Sequence, residues 1–183
     1  MEYGPLARFF ERVAQQSFRD LTLDDPPVAH YLADLLTRFA RAEALHAVRE
    51  LAGRRLDSVA DSLLAIQHVW KWESPGFNPE AERALRRHIG DYTLFMTGVF
   101  REHVERLAIA GYYEHEGRRA YRFVAETART GGGADASLFR RLSDRFERYA
   151  GVLSYARKVH FRSAEWPPRA WPDDPLSRAL VTE

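Results

Sequence analysis

The sequence predicts an all-α fold: a single-domain helical bundle of about six helices. Three observations carry this. Apolar residues recur at helical spacing through most of the chain, no run alternates apolar and polar residues as a half-buried strand would, and Pro and Gly punctuate the chain at helix-length intervals. Hydrophobic residues make up 45% of the 183, enough for a sizeable core, and the length suits one domain.

Leu6, Phe9, Phe10 and Val13 share a face after Pro5 and predict a first helix to about Phe18. Asp24-Asp25-Pro26-Pro27 is a helix-start signal. The second helix runs from there to about Leu51, with Tyr31, Leu32, Leu35, Leu36 and Phe39 on its stripe, and Gly53 ends it. Ser58 caps a third helix through Trp70, broken at Ser74-Pro75-Gly76. Asn78 caps a fourth, with Pro79 at its first position and Glu80 and Glu82 in its first turn.

This fourth helix, about 79–100, is the centre of the predicted fold. At about 100° per residue, Leu85, Ile89, Tyr92, Met96 and Val99 form one stripe, while Gly90, Leu94, Thr97 and Gly98 lie opposite. Apolar or small residues on both sides predict burial all round, with Gly90 and Gly98 admitting close neighbours. A fifth helical segment spans about Arg101 to Tyr113. Glu116-Gly117 reads as a turn, Tyr121 to Thr130 as helix, though Tyr121-Arg-Phe-Val would also suit a short strand, and Gly131 to Gly133 as a loop. Ser137 caps a last long helix to about Phe161. The domain is thus expected over 1–162, with a Pro/Trp-rich tail, 163–183, docked on it.

Composition narrows function. Lys and Arg number 27 against 26 Asp and Glu, and the arginines are interleaved with acids, so no nucleic-acid partner is expected. The absence of cysteine removes thiolate zinc sites, disulfides and a Cys nucleophile. The N-terminus lacks a signal-peptide pattern, and the longest apolar run is about half the ~20 residues a bilayer requires. The expectation is a cytoplasmic protein with no membrane partner.

The polar residues on apolar faces are the candidate site. Glu43 and His46 sit at the i, i+3 spacing of bundle metal sites, and His88 and Asp91 intrude on the central helix. Convergence of Glu43, His46, His88 and Asp91 would suit a divalent metal such as zinc or non-haem iron, and a possible oxidoreductase-like centre. The first reading is instead a structural hydrogen-bond network with no cofactor, Asp91 accepting a proton from an imidazole nitrogen. A third reading places a small ligand in an aromatic pocket by Trp70, His88, Tyr92 and Phe95. Trp166 and Trp171, each followed by Pro, are candidate partner-binding residues. No phosphate loop, nucleophile elbow or dinucleotide fingerprint is present. The function expected is therefore non-enzymatic: protein association, as an accessory subunit or a homo-oligomer.

The run His88-Ile-Gly-Asp91-Tyr-Thr-Leu-Phe-Met-Thr-Gly98 resembles the central motif of a group of small uncharacterised bacterial all-helical proteins. Tyr31 to Phe39, Gly117 to Tyr121 and Leu138 to Phe146 match as well, so the resemblance spans about Tyr31 to Arg157. It implies a single bacterial domain centred on His88 to Gly98 and brings no catalytic role.

Overall fold

The structure, a computed structural model, describes residues 4–40, 79–128 and 133–161. Among them are seven helices: α1 Pro5–Asp20, α2 Pro26–Ala40, α3 Pro79–Val99, α4 Arg101–Arg106, α5 Ala110–Ala128, α6 Gly133–Asp144 and α7 Phe146–His160. No strand occurs among the described residues, and the fold is an all-α bundle. No described helix is long and apolar enough to cross a membrane. The predicted helix at 58–70, the extension of the second helix to Leu51, the glycine loop up to Gly132 and the tail lie outside the described residues.

α3 is the hub. It packs most extensively on α5 and also against α7, while α1 pairs with α2, α5 with α6 and α1 with α7. From Leu85 to Phe100 no residue of this segment is fully exposed, so the helix is buried all round as its two apolar faces require. Its small residues permit this. A Cβ at Gly98 would lie 2.5 Å from the Leu153 Cβ and 3.1 Å from the Ala150 carbonyl, and one at Gly90 would lie 2.6 Å from the Tyr121 ring.

Three sequence expectations are corrected. Glu116-Gly117 is no turn but the interior of α5. Gly117 serves packing, since its Cβ would lie 2.4 Å from Thr93 Oγ1 and 2.5 Å from the Phe146 ring. The segment Arg101–Tyr113 is two helices, parted at Leu107 to Ile109. There Ala108 adopts φ 57°, its N–H donates to the Glu105 carbonyl at 3.0 Å, and the Ile109 N–H donates to the Val104 carbonyl at 3.2 Å. This left-handed helix stop usually uses glycine, so alanine left no signal in the sequence. Thr22, at φ 54°, ends α1 by the same pattern of bonds. The last long helix is also two: α6 starts at Gly133, Ser137 is interior, and the break falls at Arg145 (φ −118°, ψ 30°). Hydrogen bonds from Arg145 N to Arg141 O and from Tyr149 N to Arg145 O continue across it, so the break is a kink.

Candidate functional site

The most unusual group in the core is Asp91, 1% exposed in the middle of α3. An unpaired carboxylate at such a depth is prohibitively costly, so its partners decide what it is. Oδ1 accepts hydrogen bonds from the Tyr31 hydroxyl at 2.5 Å and the Tyr121 hydroxyl at 2.9 Å. Oδ2 takes Arg38 Nη1 at 2.9 Å, with Arg87 Nε at 3.8 Å. The four donors come from α2, α3 and α5, so one carboxylate ties three helices together.

Each donor is held in turn. Arg38 Nε bonds Asp34 one turn earlier on α2, at 2.8 Å, while its buried Nη2 has no hydrogen-bond partner among the described residues. Arg87 Nε also meets the Tyr31 hydroxyl at 3.2 Å. Both guanidiniums lie by the Tyr31 ring, 5.9 and 5.3 Å from its centroid, and Arg87 reaches Phe139 as well. Burial works against the charge of Arg38, but the combined pull of its neighbours, Asp91 foremost and Asp34 included, outweighs it and raises the guanidinium pKa. Burial first, then the adjacent Asp91 charge, pushes the Tyr31 and Tyr121 phenols far above their ordinary value of 10.0. The cluster is one cation–carboxylate pair, a second cation at its edge and two neutral phenols. Its carboxylate is closed to solvent and its phenols hold their protons, so it offers neither a base nor a nucleophile to an incoming molecule.

His88 is not the donor expected for Asp91; tyrosine and arginine take that place. Its imidazole lies parallel to Phe39, centroids 6.4 Å apart, and tilts against Tyr92 at 6.2 Å. Desolvation lowers its pKa, opposed by Asp91 and assisted by Arg38. Glu43 and His46 lie outside the described residues, as do Trp70, Trp166 and Trp171. Among the described residues no three His, Asp or Glu side chains are grouped to hold a metal ion.

For the aromatic pocket, the described members pack together: Phe95 stacks on Phe39 at 4.6 Å, and Phe39 in turn faces His88. A half-open cleft of about 440 Å³ lies elsewhere, between α1 and the start of α2, with Phe18, Leu23 and Ala29 as its apolar lining and the exposed Glu11–His30 pair at 3.1 Å beside it.

A second buried carboxylate sits next to that cleft. Asp25 Oδ1 accepts the Val28 N–H at 3.4 Å, which caps α2, and Oδ2 accepts the Tyr149 hydroxyl at 2.8 Å. Arg141 Nε stands 3.3 Å from the same oxygen. Burial and this bond push the Tyr149 phenol up to about 12.

Sequence reasoning found Asp91 but missed Tyr31, Arg38, Arg87 and Tyr121. A signal existed: Tyr31 and Arg38 are seven apart on one face of α2, and a tyrosine on a buried stripe requires a partner for its hydroxyl. Arg87 lies four residues before Asp91 on the same helix, an ion-pair spacing. Comparison with protein-family models, curated proteins and solved structures gives no match for this chain.

Proposed function

We propose that this chain is a non-enzymatic helical protein that acts through protein association, and that the corner between α4 and α5 is its contact surface. The observation that carries this is the exposure of Leu107 (52%) and Tyr112 (45%) within an uncharged run from Leu107 to Tyr113. Large apolar side chains gathered at one corner mark interaction sites more often than scattered ones do. The corner is rigidly mounted: Val104 and Tyr113, on either side of it, are buried in a cluster with Leu85, Ile89 and Ala120. Ala108 holds the left-handed conformation at its apex, a cost of about 1–2 kcal/mol for a residue with a Cβ. The internal commitment of Asp91 supports the non-enzymatic part, because the most buried carboxylate of the described core has every oxygen engaged by the protein itself.

The test is photo-crosslinking. A photo-reactive phenylalanine analogue replaces Tyr112, and a second protein carries it at exposed Arg83 on α3. A discrete adduct from Tyr112, absent from Arg83 and lost in Leu107→Asp, is the expected result, whether the adduct is a second copy or another protein. A monomer by sedimentation that gives no adduct from Tyr112 would defeat the reading.

A further inference from the structure

The cleft between α1 and the start of α2, at about 440 Å³, has the size of a small-ligand site. One wall is a face of α1, on which Glu11, Gln15, Phe18 and Arg19 recur at helical spacing. The other wall is the turn from Leu23 to Pro26 with the first turn of α2. Buried Phe18 and Ala29 and half-buried Leu23 give the cleft an apolar floor.

The polar groups around that floor lean toward acid. Glu11 accepts a hydrogen bond from Gln15 Nε2 at 2.8 Å and pairs with His30 Nδ1 at 3.1 Å. Gln15 is neutral, and His30 carries charge only when protonated. Exposed Asp24 belongs to the opposite wall and has no ion-pair partner among the described residues. Asp25 is already answered by Arg141 and Tyr149. The one guanidinium of the lining, Arg19, donates to Gln16 Oε1 at 2.8 Å, and Gln16 lies outside the lining.

Two helix ends of opposite sign meet here, the negative C-terminal end of α1 and the positive N-terminal end of α2. The second has no donor left for an anion. Pro26 and Pro27 carry no N–H, the Val28 N–H donates to Asp25 Oδ1 at 3.4 Å, and the Ala29 N–H donates to the Asp25 carbonyl at 2.9 Å.

We infer that this cleft binds a small organic ammonium, with its apolar body against Phe18, Leu23 and Ala29 and its cationic head between Glu11 and Asp24. An apolar cavity with a few placed polar groups is the general form of a small-molecule site, and carboxylates hold an ammonium through charge-assisted hydrogen bonds. An anionic ligand would meet like charge at Glu11 and Asp24 and find no free backbone donor at α2. The cleft is built from helices other than those of the Leu107–Tyr112 corner, so this inference goes beyond the association reading and fails or stands separately from it.

The probe is phenethylamine, titrated at neutral pH into the isotope-labelled full chain and followed by amide chemical shifts. Hydrocinnamate serves as an anion of similar shape and phenethyl alcohol as the neutral form. Phenethylamine is expected to saturate with shifts gathered on Gln15, Phe18, Leu23 and Ala29, and to bind about tenfold more tightly than hydrocinnamate. The double variant Glu11→Gln, Asp24→Asn should weaken the amine about tenfold while phenethyl alcohol stays within about twofold of its affinity for the parent. Both side chains reach solvent, so the variant keeps the helical circular dichroism. No saturation, shifts centred away from the cleft, equal affinity for hydrocinnamate, or an amine affinity indifferent to the double variant overturns the inference. Equal loss of amine and alcohol overturns it as well, because the carboxylates would then shape the cleft rather than hold the charge.

Discussion

Asp25 and Asp91 both take a tyrosine hydroxyl and face an arginine, yet they hold the fold in different ways. Asp25 lies at a helix start, and part of its work is local: it caps the helix it precedes. Asp91 lies in the middle of a helix, where the neighbouring N–H groups are already used by the helix itself. All of its hydrogen-bond donors are side chains, and three of the four groups around it come from other turns of chain on α2 and α5. The difference shows that a buried charge at a helix end is half-solved by the backbone, whereas one in a helix interior depends on tertiary structure. The Asp91 cluster should therefore act as a lock on the relative placement of α2, α3 and α5, and the Asp25 cluster as a clasp that joins α2 to α6 and α7.

The comparison breaks or holds on stability. Asp91→Ala removes the carboxylate that part-buried Arg38 and the hydroxyl protons of Tyr31 and Tyr121 bond, and the expected loss is about 3–5 kcal/mol in denaturant unfolding. Asp25→Ala removes a cap and one tyrosine bond, with an expected loss of about 1–2 kcal/mol. Equal losses would abolish the distinction between lock and clasp. A finer contrast comes from single hydroxyls. Tyr121→Phe leaves Asp91 its bond from Tyr31, so its cost should be about 0.5–1.5 kcal/mol, no larger than that of Tyr149→Phe. A much larger loss for Tyr121→Phe would mean that the two phenols on Asp91 act cooperatively.

Titration sharpens the comparison without mutation. The tyrosine pKa values are raised in the folded state, so the stability they contribute is complete below pH 10 and falls as the unfolded chain ionises above it. Phenolate absorbance should show Tyr149 ionising near pH 12, before Tyr31 and Tyr121. The reverse order would place the stronger burial at Asp25. The smallest effect concerns His88, whose folded pKa is lowered by burial. The unfolded chain binds its proton more readily, so stability should be full above the ordinary value of 6.5 and decline as pH falls below it. In His88→Phe this part of the acid loss should vanish from a series of unfolding curves.

Much of the fold was legible because helix periodicity is a local property. Pro5, Asp25-Pro26 and Pro79 marked three helix starts, and the two apolar faces of 79–100 foretold a buried hub. The misses have one cause. In the sequence Gly117 looks like backbone punctuation, but it answers to Thr93 and Phe146, which arrive from distant parts of the chain. Ala108 ends a helix without the residue that announces such an end. Among site residues, Asp91 was conspicuous because it is polar amid apolar neighbours, while Tyr31 and Tyr121 blended into the apolar pattern and their hydroxyls went uncounted.

The sequence by itself determined that the chain would form helices, that the helix at Pro79–Val99 would be central, and that Asp91 would lie inside. Those outcomes follow from spacing, capping and the preference of apolar surface for its own kind, all of which act over a few residues. Only the tertiary structure decided that Asp91 would answer to two tyrosines and two arginines rather than to His88, and that Leu107 and Tyr112 would stand exposed. Those outcomes depend on which helices meet and in what register, and a side chain's partners across an interface are not encoded in the residues next to it.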